Sequence, residues 1–276
     1  MKKPNITRAD LKSNIMKNVI FRIDYQGVMD ASTLVETFLK SFKGVFGSRE
    51  NTFHNKIDIQ FSNIDSISET LSIPVREIEK QEIQRFKDSK LGPENAILDI
   101  SKYFTTLLIE CDGKYEGIDQ YATFFSKLIE QYLAENEFIK IKRIGLRKIG
   151  GNIYFNKEEI HNDFEKEHFN FDFSKEGFNS INNKTVDIFN AEDTSPIIIY
   201  QRSFDKGVAL DKDGNEKIAY QAILDIDSYY EEGVLNELGF TKGNISGIIS
   251  SMNDKYLFDL FKISMTETFF KKHSKK

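Results

Sequence analysis

Two small groups of side chains in this sequence have the types and spacing to do chemistry. Asp99, Asp112 and Lys114 form the first. An aspartate, an apolar strand and then Asp-x-Lys is the layout of a metal-dependent nuclease. Two carboxylates there hold a divalent ion such as Mg²⁺, and the lysine positions or activates the attacking water. The same residues also read as a plain turn, because Gly113 interrupts the strand that the catalytic pattern requires. Arg143, Gly145 and Arg147 form the second group. Strand alternation puts all three on one face. Two guanidiniums beside a residue with no side chain would make a binding recess for a small anion or nucleotide. The competing reading pairs both arginines with acids on neighbouring strands, and lets Gly145 admit an aromatic ring from across the sheet.

Other arrangements fit structural roles better. His161 and His168 are seven apart amid acids, wider than usual zinc spacing and without an evident third ligand. The run from Asp211 to Glu216 begins like a calcium loop, but Ala222 stands at the twelfth position where a glutamate is needed. It reads as a hairpin turn. Cys111 sits on an apolar strand with no base nearby in sequence and reads as a small buried hydrophobe. There is no phosphate loop, dinucleotide glycine motif or nucleophile-elbow serine. No metal site and no cofactor are expected, apart from Mg²⁺ in the nuclease reading.

The elements that must position these groups can be read from hydrophobic periodicity. Ile20 to Asp24, Leu108 to Asp112 and Ile223 to Asp227 share one pattern: two apolar residues, a charge, an apolar residue, an aspartate. Each reads as a strand followed by a polar loop and a helical pattern, giving strand-loop-helix units near 18–61, 103–150 and 196–272. Leu34, Val35, Phe38, Phe42 and Val45 predict a helix over 31–46, capped by Asp30 or Ser32. A strand over 56–61 follows it. Tyr121, Phe124, Phe125, Leu128, Ile129 and Leu133 predict a second helix that starts after Asp119, its N-cap, and runs to about Ala134. Ile245, Ile248, Ile249, Met252, Tyr256, Leu260 and Ile263 predict a long third helix over about 244–270. Residues 158–167 suggest a further helix, and 197–227 a hairpin. Residues 73–86 fit either a strand or a short helix.

Composition sets outer bounds. The chain has 276 residues, 39% hydrophobic and 29% charged, with 24 phenylalanines and no tryptophan. That is globular and large enough for a Phe/Ile/Leu core without staples. One cysteine excludes an internal disulfide and fits a reducing, cytoplasmic setting. A net charge of −5 argues against a general nucleic-acid surface. No run approaches the roughly 18 apolar residues of a membrane span, and the N-terminus does not read as a signal peptide.

The stretch from Phe104 through Tyr154 resembles a sporadically distributed family of uncharacterised bacterial proteins. Its members show Arg-x-Gly-Leu-Arg-Tyr-x-Asn after a helix, and Arg143-Ile144-Gly145-Leu146-Arg147 matches it here. Lys148 replaces the family tyrosine and Gly150 the asparagine. The resemblance implies no defined activity; its patchy distribution suggests mobile elements or phage defence. The expectation is a single α+β domain over 1–276: a mainly antiparallel sheet packed by amphipathic helices, with a long C-terminal helix. The leading functional expectation is a non-enzymatic protein-binding or scaffold component, acting with a partner protein or by self-association. The metal-dependent nuclease and the anion or nucleotide sensor are the alternatives.

Overall fold

A computed structural model describes residues 6–13, 15–59, 75–111, 117–170, 180–190 and 194–275. Among the described residues, nine strands form one antiparallel sheet. They are β1 (Met16–Gln26), β2 (Phe46–Ile59), β3 (Val75–Ser89), β4 (Asn95–Ile100), β5 (Phe104–Glu110), β6 (Lys140–Tyr154), β7 (Asn182–Phe189), β8 (Ile197–Leu210) and β9 (Glu216–Glu231). Their order across the sheet is β2-β3-β4-β5-β1-β6-β9-β8-β7. β1 therefore lies between β5 and β6, at the middle of the sheet. The similar segments Ile20–Asp24 and Ile223–Asp227 fall on β1 and β9, and Leu108–Glu110 of the third ends β5, with Asp112 outside the described residues.

Strict alternation gives the sheet two unlike faces. Val19, Phe21, Ile23 and Tyr25 of β1 are buried on one face, beside Leu107 and Ile109 of β5 and Ile144 and Leu146 of β6. The helices pack here. α1 (Ala31–Ser41) is capped by the Asp30 side chain, which accepts from Ser32 N, and it lays Phe38 against Phe86 of β3. α2 (Asp119–Glu135) lays Phe125 on Phe21, ring centroids 5.7 Å apart, and Asp119 is its first helical residue rather than its N-cap. Among the described residues, none of the helices has the length and apolar character of a membrane span.

Two elements depart from the sequence expectation, and a third resolves one that was open between strand and helix. α1 stops at Ser41, and β2 already starts at Phe46 after the turn around Gly44. The charged stretch left undecided over 73–86 is mostly strand β3. Its cross-strand partners and two buried apolar residues, Ile83 and Phe86, hold it in place. The expected helix over 158–167 shrinks to a 3₁₀ turn and α3 (Ile160–Asp163), because Phe164 goes extended and bridges Met265.

The expected long C-terminal helix is real over only part of its length. α4 (Glu232–Glu237) precedes it. α5 (Ile245–Ser251) runs through a π-helical turn, Met252–Leu257, into α6 (Phe258–Ser264). Met265 is extended, Thr266 caps the next segment by accepting from Phe269 N, and α7 (Glu267–His273) follows. The π turn adds a residue to the helical repeat. It thereby moves the buried stripe from the expected Tyr256, Leu260 and Ile263 to Leu257, Phe261 and Ser264.

Candidate functional site

The second face of the sheet carries charge. β1 places Arg22 and Asp24 there, β6 places Arg143, Gly145 and Arg147, and β9 places Asp225, Asp227 and Tyr229. Register brings these strands side by side: Arg22 is opposite Gly145, Asp24 opposite Arg143, and Gly145 opposite Tyr229. The result is a ladder of alternating sign. Arg22 Nε donates to Asp24 at 2.7 Å. Arg143 Nη2 donates to Asp227 at 3.0 Å, with Asp24 4.0 Å from Nη1. Arg147 grips Asp225 with two bonds, 2.8 Å from Nε and 2.5 Å from Nη2. A bidentate pair of this kind is among the stronger polar contacts a sheet can make.

Gly145 has a specific use in this ladder. A Cβ added there would come within 3.3 Å of Tyr229 Cβ. Its absence lets the Tyr229 ring lie close, and the Arg143 guanidinium sits 3.9 Å from the centre of that ring. Arg143 and Arg147 therefore share a face, as alternation requires, and both are already engaged by side chains of β9. Arg143 Nε is buried and without a hydrogen-bond partner. Desolvation raises the Asp227 carboxyl above its usual range, against the pull of Arg143 and Arg147. The hydrogen bonds of Asp225 hold Arg147 more firmly protonated.

Asp99 lies on the same face, on β4, and both its oxygens are taken by Arg85 of β3 at 2.7 and 2.8 Å. Asp112 and Lys114, its proposed catalytic partners, lie outside the described residues. Among the described residues, His, Cys, Asp and Glu side chains do not gather into a group able to hold a metal ion. His161 and His168 do not share a continuous helix, since α3 ends at Asp163.

Between the ion pairs, the same face carries half-buried aliphatic side chains: Ile97, Leu108, Ile20, Ile149, Ile223 and Ile199. Among the described residues, the helices meet the sheet through its other face. The helical contacts to Phe21, Phe86, Tyr154 and Tyr200 all fall there. Among the described residues, no helix covers this broad surface of paired charges and aliphatics.

No family model, curated protein or solved structure matches the chain.

Sequence reasoning passed over Lys148 as a site. It lies on the helix-packed face of β6 and lines a recess with Ile15, Met16, Leu224, Ile226, Leu257 and Phe261. Burial, with the Arg8 charge adding to it, pulls its ammonium down to about 7. The signal was present in the alternation, which sets a lysine between Leu146 and Gly150 on an inward face. The folded value lies below the roughly 10.4 of an unfolded lysine, so the unfolded chain binds the proton more tightly. Stability from this group therefore rises with pH between about 7 and about 10. Lys148→Met should gain about 1–2 kcal/mol at pH 7, a figure discounted because the residue is only half-buried. The gain should vanish near pH 10. Denaturant melts across that range check it, and a loss of stability at pH 7 would contradict it.

Proposed function

We propose that the chain is a binding component without catalytic activity, and that its partner is another protein seated on the uncovered sheet face. One observation carries this reading: the charged groups of that face are paired with each other before any ligand arrives. Arg143 and Arg147 are committed to Asp227 and Asp225, and Asp99 is committed to Arg85. An anion or a metal ion would have to displace bidentate contacts to bind there. A protein surface needs no such exchange. It gains from the aliphatics between the pairs, and from rigid polar groups that cost little to order on docking. Resemblance to a patchily distributed bacterial family adds a context, in which the partner is an effector of a defence or mobile-element system.

The test is a variant series with the partner identified by capture from native cells. Leu108→Glu, in the middle of the face, should weaken binding by at least about tenfold, as a buried interface charge does. Lys127→Glu, on the solvent side of α2, should leave it unchanged. Equal effects from the two changes would remove the reading.

The sensor alternative keeps one supporting observation, the unpartnered Arg143 Nε. In that reading phosphate or a nucleotide raises the melting temperature of the wild type but not of Arg147→Ala. An equal shift in both dismisses it.

A further inference from the structure

Arg49 differs from the other strand arginines whose side chains are described. Arg22, Arg85, Arg143, Arg147 and Arg202 each meet a carboxylate. Arg49 instead donates from Nε and Nη2 to the neutral Gln84 side chain, at 2.9 and 2.6 Å, and the residue is exposed to solvent. The acids around it are engaged elsewhere: Glu82 accepts from the Gln84 amide, and Glu50 is paired with Lys87. Asp88 lies across from Gly47 on the neighbouring strand.

Beside this guanidinium is a cavity of about 160 Å³, between the end of α1 and the first residues of β2. Phe38, Phe42, Phe46 and Phe86 line it together with Leu39 and the exposed Gly44, Gly47, Ser48 and Arg49, which leave it open to solvent on one side. Phe38 lies 4.7 Å from Phe86 and 5.9 Å from Phe46, both in T-shaped contact, and stacks on Phe42 at 6.1 Å. Arg49 lies 5.7 Å over the Phe86 ring. An apolar cavity of about 150 Å³ in a protein core is large enough to take up benzene. Aromatic walls favour a flat apolar body, and a guanidinium favours a carboxylate with two acceptor oxygens.

We infer that this cavity is a binding site for a small aryl carboxylate, its ring among the phenylalanines and its carboxylate on Arg49. The site lies at the edge of the sheet and is independent of the charged face proposed for a protein partner.

Benzoate, benzamide and acetate separate the two components of the inference when added to the full-length protein. Ligand-observed NMR or a thermal shift should show benzoate binding at least about tenfold more tightly than either analogue. Benzamide keeps the ring without the charge, and acetate keeps the charge without the ring. Arg49→Gln should bring benzoate down to the level of benzamide, provided its melt shows a folded protein. Binding of benzoate and benzamide alike would overturn the role of Arg49. Binding of acetate as strongly as benzoate would reduce the site to surface charge attraction, and no binding by benzoate would remove it. The three-ligand comparison on wild-type protein decides the matter even if the variant fails to fold.

Discussion

Asp225→Ala should lower the stability of the fold by about 3 kcal/mol. Asp225 is 5% exposed and takes both bonds from Arg147. Removing it leaves a guanidinium facing a sheet with no acceptor in its place. Breaking a buried pair from one side usually costs about 3–5 kcal/mol. The lower end applies because the Arg147 side chain is 42% exposed and can turn to water. The double variant Arg147→Met/Asp225→Leu should recover most of the loss, since it removes the uncompensated charge along with the pair. A double-mutant cycle by denaturant melting measures the coupling. If the single change costs under about 0.5 kcal/mol, the ladder is a loose surface feature and not a fixed frame.

The second large effect is expected away from the ladder. Gly27→Ala should destabilise the protein by at least about 3 kcal/mol, or prevent folding. Gly27 follows β1 with φ +90°, a region side chains disfavour, and an added Cβ would stand 1.9 Å from the Phe138 carbonyl oxygen. That oxygen belongs to backbone just ahead of β6, so relief requires the two central strands to part. Thermal melting of the purified variant checks it. A loss below about 1 kcal/mol would mean that the β1–α1 turn is not held against β6.

The sheet was legible wherever one face is apolar. β1, β5 and the middle of β9 alternate cleanly, and the structure makes each a strand with the expected residues inside. α2 was equally plain, because its apolar stripe recurs without interruption over the full helix. β3 was not, since its charged side chains carry no burial signal and its identity comes from pairing with β2 and β4. The C-terminal helix hid its break for a different reason. Periodicity extrapolates a constant turn, and the π turn at Met252–Leu257 changes it.

At the site, alternation was enough to put Arg143, Gly145 and Arg147 on one face. It was not enough to name their partners, because Asp225 and Asp227 are about 80 residues away and only register joins them. Arg49 and its phenylalanines were also out of reach. Phe38 belongs to a helix and Phe86 to a polar strand, and only the tertiary fold brings them together.

The central claim is that the uncovered sheet face docks a protein. Thr106 lies at its middle, opposite Arg22 on β1 and Asp99 on β4. The most direct measurement places a photoreactive residue at Thr106, and in a second protein at Lys127, then irradiates native cells and resolves the adducts by mass. The account predicts one discrete protein adduct from position 106, absent from position 127. No adduct at 106, or the same adducts from both positions, would contradict it.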